Sequence, residues 1–126
     1  MNWTLEVVVV PVSDVDRAKA FYAEQLGFHV DHDVKDAKIT GGKRIVQLTP
    51  PGSACSISLG VGLSDMPPGS QKGIQVVVED VAVEREQLLS RGVEASEVDA
   101  QPWGSFVTFS DPDGNMWALQ QLPPRP

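Results

Sequence analysis

The stretch GIQVVVEDVAVEREQLLSRG, residues 73–92, sets the plan of the whole chain. Its apolar, β-branched opening GIQVVVE reads as a strand, and at Asp80 it gives way to a helical segment that Asp80 can cap and Gly92 can end. The same order stands near the start. LEVVVVPV (5–12) is a buried-strand run, and SDVDRAKAFYAEQLG (13–27) is a helix with Ser13 as N-cap, acids in its first turn and Gly27 at its left-handed end. Val15, Ala18, Phe21, Tyr22 and Leu26 fall near helical spacing, so one apolar face is available to lie on a sheet.

Three shorter strands follow each helix. In the first half they are FHVDHDV (28–34), RIVQLT (44–49) and ACSISLG (54–60); in the second they are VEASEV (93–98), SFVTFS (105–110) and NMWALQQ (115–121). The turns TPPGS and DPDGN superpose at Gly52 and Gly114, so the order βαβββ is written twice. The expected fold class is α+β: two tandem βαβββ modules whose curled mixed sheets enclose a shared cleft. Module one covers 4–60 and module two 73–122, with the Gly-, Pro- and Ser-rich stretch 61–72 crossing the surface between them. The tail PPRP (123–126) suits neither helix nor strand and is expected to fray.

Composition narrows the function. A chain of 126 residues with 41% hydrophobic and 21% charged residues fits one domain with one core. The net charge of −7 would repel a phosphate backbone, so no nucleic-acid partner is expected. No apolar run is long enough to cross a bilayer and the start MNWTLEVVVV lacks a basic leader, so no membrane partner and a cytoplasmic location are expected. The single cysteine, Cys55, has no partner for a disulfide or a metal pair and reads as a small buried hydrophobe.

Three segments carry a family resemblance: VPVSDVDRAKAFYAEQLGF (10–28), VVVEDVAVEREQLLSRGV (76–93) and FSDPDGNMWALQQ (109–121). In this order they resemble the vicinal oxygen chelate superfamily, that is, the glyoxalases, bleomycin-resistance proteins and ring-cleaving dioxygenases. The resemblance implies a cleft often completed by a homodimer. It also implies a divalent metal held by one His or Glu from each of four strands. Counted onto this chain, those four positions are Val7, Ser56, Gly73 and Ala118. Valine, glycine and alanine donate nothing to a cation and a lone serine hydroxyl cannot hold one, so no metal ligand and no cofactor are expected.

Strand alternation then defines what lines the cleft. Ser56, Ser58, Ala118 and Gln120 share the inward face, as does Val7, and Gln75 falls on it from the second leading strand. Pairing across TPPGSA brings in Gln47, and pairing across DPDGNM brings in Phe109 beside Ala118; Trp103, in the loop AQPWGS, is a candidate for the cleft mouth. Trp117 alternates away and reads as core. Apolar walls with a few neutral amides and hydroxyls suit a small organic ligand, bound as bleomycin-resistance proteins bind theirs. The alternative is a metal-independent isomerase or lyase in which His32 or Asp33 of GFHVDHD moves a proton, against the plainer reading of that segment as a solvated edge strand. A metal-dependent lyase or dioxygenase would need ligands other than these four positions.

Overall fold

The computed structural model describes residues 1–38 and 41–124, so residues 125 and 126 of the PPRP tail lie outside the described residues. The first module comprises β1 (Val7–Pro11), α1 (Val15–Ala20), β2 (His29–Ala37), β3 (Lys43–Thr49) and β4 (Ser56–Gly60). The second comprises β5 (Ile74–Val77), α2 (Val81–Ser90), β6 (Asp99–Gln101), β7 (Gly104–Ser110) and β8 (Met116–Gln121). The order βαβββ is thus present twice. Each module makes one open four-stranded sheet, β1-β4-β3-β2 in the first and β5-β8-β7-β6 in the second. In both, the leading strand pairs parallel with the last strand of its module and the remaining pairs are antiparallel, so the sheets are mixed.

Local chemistry explains where the helices start and stop. Asp14, not Ser13, caps α1 by accepting from the Arg17 N–H at 3.0 Å. Ser13 instead donates its hydroxyl to Asp113 at 2.5 Å, tying the first helix to the last turn of the other module. Asp80 caps α2 as its sequence implies, accepting from Ala82 and Val83. After Ala20 the first helix widens into a π turn, Phe21–Gln25, closed by Leu26 N–H donating to the Phe21 carbonyl at 3.1 Å. That widening lets the adjacent rings of Phe21 and Tyr22 both enter the core, edge to face at 5.1 Å.

One strand forms elsewhere than expected. VEASEV is not a strand; the second module's edge strand is Asp99–Gln101. Ser96 shows why. Its N–H donates to the Thr108 carbonyl, but its own carbonyl is taken by the Arg85 guanidinium at 2.8 Å, and the Thr108 N–H turns to the Ser96 hydroxyl instead. With side chains occupying the ladder's donors and acceptors, regular pairing starts only at Asp99.

The two sheets share one core through their helix-covered faces. Val10, Val46, Leu48, Ile57 and Leu59 of the first sheet and Val107, Phe109, Trp117 and Leu119 of the second belong to a single buried cluster with Ala18, Phe21, Tyr22 and Leu88 of the helical segments. At its centre a polar chain is fully satisfied. Trp117 Nε1 donates to the Tyr22 hydroxyl at 3.0 Å, and that hydroxyl donates to Asp111 Oδ2 at 2.7 Å. Asp111 also accepts from Asp113 N, Asn115 N and Asn115 Nδ2, while Asn115 Nδ2 donates to the Pro11 carbonyl at the end of β1. Buried polar groups with complete partners fix one arrangement of the two modules.

The connection between modules is held closely. Gly69 N–H donates to the Pro11 carbonyl, and Gly69 has φ +81°, where a Cβ would overlap the Asp113 carbonyl. Only glycine fits there.

Candidate functional site

The faces turned away from the helices carry the site. Core residues occupy alternate positions of each strand, so the intervening residues stand together on the other face. Register settles which ones. On the first sheet one row reads His29, Thr49, Ser56, Val7 and the next His32, Gln47, Ser58, Val9. On the second sheet Gln75, Ala118 and Thr108 form one row, and Val77, Gln120 and Phe106 the next. Both faces are partly open to solvent: Val7 is 39% exposed and Val77 61%.

Most of the sequence-derived lining stands on these faces. Val7, Gln47, Ser56 and Ser58 are brought together on the first sheet, and Gln75, Ala118 and Gln120 on the second. Trp103 sits in the β6–β7 turn, 61% exposed, its carbonyl accepting from Gln120 Nε2 at 3.1 Å. Phe109 does not line this face. The turn after β7 closes around Asp111, whose N–H donates to the Asn115 carbonyl, so pairing begins at Ser110 with Met116 and Ala118 falls opposite Thr108. Phe109 consequently pairs with Trp117 and stacks on it in the core at 6.1 Å.

His32 and Asp33 are separated by the sheet. A register shift between Val30 and His32 puts His32 beside Gln47 on the site face, while Asp33 pairs with Val46 on the helix side. There Asp33 accepts from Arg44 at 2.9 and 2.8 Å and from Lys19 at 2.7 Å. Those hydrogen bonds, Arg44's first, hold the Asp33 carboxyl well below the usual carboxylate range, and Asp33 in turn helps to raise the Arg44 guanidinium. A carboxylate so engaged is a strut between α1 and the sheet, and it cannot share a substrate with His32.

The same register shift brings forward a group the sequence reading passed over. Asp31 accepts from the Thr49 hydroxyl, Thr49 Oγ1 lies 2.6 Å from Ser56 Oγ, and His29 Nε2 stands 3.7 Å from Asp31. Thr49 was readable, being two positions from Gln47; Asp31 was not, because nothing in FHVDHDV marks the irregularity. On the second sheet Gln75 Nε2 donates to Gln120 Oε1 at 2.7 Å. A hollow of about 300 Å³ between the modules is lined by Val8, Ile57, Ile74, Val76 and Trp117, which alternate with the site-face residues, and it reaches the strands at Ser56 and Gln75. A larger groove of about 650 Å³ beside it runs along α2 and the turn at Pro50–Ser53 and also includes Gln75.

The four positions at which the resemblance implies metal ligands do not fit one. Val7 pairs with Ser56, and the partner of Ala118 is Gln75, with Gly73 lying just before β5. A valine, a hydroxyl, a glycine and an alanine make no cation site, and Gln75, which stands opposite Ala118 where Gly73 was counted, offers only a neutral amide. Among the described residues no group of three His, Cys, Asp or Glu is arranged to hold an ion.

Comparison with known proteins agrees with this architecture. The model of the Glyoxalase/Bleomycin resistance protein/Dioxygenase superfamily matches residues 4–119. The chain belongs to this superfamily. Among solved superfamily structures, TnmS3, an antibiotic binding protein from Streptomyces sp. CB03234, is 36% identical with a TM-score of 0.87, covering 97% of this chain and 98% of that one. A superfamily member from Sphaerobacter thermophilus DSM 20745 is 30% identical with a TM-score of 0.81 over 95% of this chain and 98% of its own. The uncharacterized protein YetH of Bacillus subtilis (strain 168) is 30% identical over 118 residues, 90% of this chain and 94% of its length. No helix among the described residues is long and apolar enough to cross a membrane.

Proposed function

We propose that this superfamily member binds a small organic molecule of mixed polarity on the faces carrying Ser56 and Gln75, with no resident metal ion. The observation that carries the reading is the strand register, which sets Val7 beside Ser56 and Gln75 beside Ala118. At those positions, where an ion would need anionic or imidazole donors, the chain offers apolar side chains with a hydroxyl and an amide, the lining expected of a site that buries an organic body and orients it by a few hydrogen bonds. The likeness to the antibiotic binding protein TnmS3 supports a ligand of that kind. Val7, Gln47, Ser58 and Gln120 would contact it from the sheets, and Trp103 from the rim.

The reading includes a homodimer. Each sheet presents its site face outward, so a second copy would close the first module's face against the partner's second module. A screen of polycyclic and peptide-like natural products by thermal shift tests the binding: at one hundred times Kd a ligand adds about 2.7 kcal/mol, or roughly 10 °C in Tm for a chain of this size. A melting temperature that responds to divalent ions and to none of the organic compounds would sink it.

A further inference from the structure

We propose that the groove of about 650 Å³ along α2 is a second binding site, apart from the outward sheet faces, which takes an extended peptide chain as an added strand on the free edge of β5. A difference between the two leading strands carries this. In each, alternate residues turn their main-chain groups toward the last strand of the module, and the intervening residues turn theirs to the outer edge. Ser56 N–H donates to the Glu6 carbonyl in the first module and Val78 N–H to the Gln120 carbonyl in the second. Val7, Val9 and Pro11 therefore face the outer edge of β1, and Gln75 and Val77 that of β5. Counted from the capping residues Asp14 and Asp80, Val9 corresponds to Gln75 and Pro11 to Val77.

The edge of β1 is closed. Gln71 Nε2 donates to the Val9 carbonyl, Gly69 N–H and Asn115 Nδ2 both donate to the Pro11 carbonyl, and a proline has no N–H to offer. The edge of β5 is open: its strand partner is β8, and among the described residues no hydrogen bond reaches the main-chain N–H or C=O of Gln75 or Val77. The repeat supplies the reason. The turn that latches onto the first module carries Asp113 and Asn115, which reach Ser13 and Pro11, whereas the superposed turn carries Pro51 and Ser53, and Ser53 spends its hydroxyl on the Cys55 carbonyl. Without a latch the groove stays open.

Gln75, Val76, Val77 and Val78 all line it, over an apolar floor that includes Phe28, Leu88 and Trp117. The strand edge is recessed between α2 and the Pro50–Ser53 turn, which leaves room for one extended chain rather than for the edge of a second sheet. From Glu84 to Arg91 the α2 wall runs about 10 Å at 1.5 Å per residue, the span of about three residues of strand. A peptide there would pair its main chain with Gln75 and Val77 and bury alternate side chains against the floor, which gives an unpaired edge the partners it lacks.

The blocked tetrapeptide acetyl-Thr-Val-Thr-Val-amide, titrated into isotope-labelled protein and followed by NMR and amide hydrogen exchange, tests this. In the free chain the Gln75 and Val77 amides should exchange faster than those of Val76 and Val78, and saturation with peptide should slow them by about tenfold or more. Two analogues carry N-methyl groups on alternate residues, one on the first and third and the other on the second and fourth. The phase that removes the N–H groups meeting β5 should weaken binding by about tenfold, and the other should match the parent. Val77→Pro copies Pro11 at the corresponding place in β1, leaves the ladder to β8 intact, and should abolish most of the affinity. Equal affinities of the two analogues for the natural chain overturn the proposal, as does a Val77→Pro chain that melts like the natural one and binds the peptide as well. No binding of the tetrapeptide overturns it too. Protection of Gln75 and Val77 that arises without peptide and grows with protein concentration gives the edge to a second copy instead, and equally overturns it.

Discussion

Tyr22 shows how much rests on single atoms in this chain. Its hydroxyl receives one hydrogen bond from Trp117 and gives one to Asp111, and Tyr22→Phe would strand an indole N–H and deprive a buried carboxylate of a donor. The expected cost is about 1–3 kcal/mol in a denaturant titration. Burial, then the Asp111 charge and the hydrogen bond to it, push the Tyr22 phenol far above its ordinary range. The unfolded chain ionises that phenol near pH 10 and the folded chain does not, so its stabilising contribution is whole below about pH 10 and declines as pH rises further. Unfolding free energy measured above that pH should fall less steeply in Tyr22→Phe than in the natural chain. At this scale the sequence was a good guide to face but not to offset: alternation correctly grouped Ser56 with Ser58 and Ala118 with Gln120. Phe109 was misplaced because Asp111 draws Asn115 into the turn, and Asp33 because of one irregular position in β2.

Whole elements were more legible than their edges. Two strand-helix openings, the Asp80 cap and the glycines at φ +78° and +79°, Gly27 and Gly92, could be read directly, because caps and left-handed ends have narrow residue preferences, whereas the first cap falls on Asp14, one residue beyond the expected Ser13. The π turn could not, since its cause is the fit of Phe21 and Tyr22 against Phe109 and Trp117 in the other module. Nor could the loss of VEASEV as a strand, which follows from Arg85 reaching the Ser96 carbonyl. The connection between modules makes the clearest prediction for an element. Gly69→Ala forces a side chain into a positive-φ position against the Asp113 carbonyl, and should cost about 1–3 kcal/mol by thermal or chemical melting. Gly41→Ala, at φ +71° with open space around the added Cβ, isolates the backbone part of that cost, so the smaller loss expected there measures how tightly the connection is packed.

At the scale of the molecule, the two modules are latched through their helical sides. Asn115 reaches Pro11, Ser13 reaches Asp113, and Gln25 and Arg91 exchange hydrogen bonds across the joint. The outward faces then make a dimer the expected state: sedimentation should give twice 13.6 kDa, and Trp103→Glu, which charges the rim, should shift the balance toward the single chain. Sedimentation at 13.6 kDa with ligand bound would mean that one open face suffices. The indoles add something of their own. Trp103 and Trp3 stand in water, while Trp117 is sealed in the core against Tyr22 and Phe109. With Trp3 replaced by phenylalanine, the fluorescence of the chain resolves into two colours, a red-shifted emitter at the rim and a blue-shifted one in the interior. Occupancy of the face and loss of the fold then become separate signals in a single cuvette.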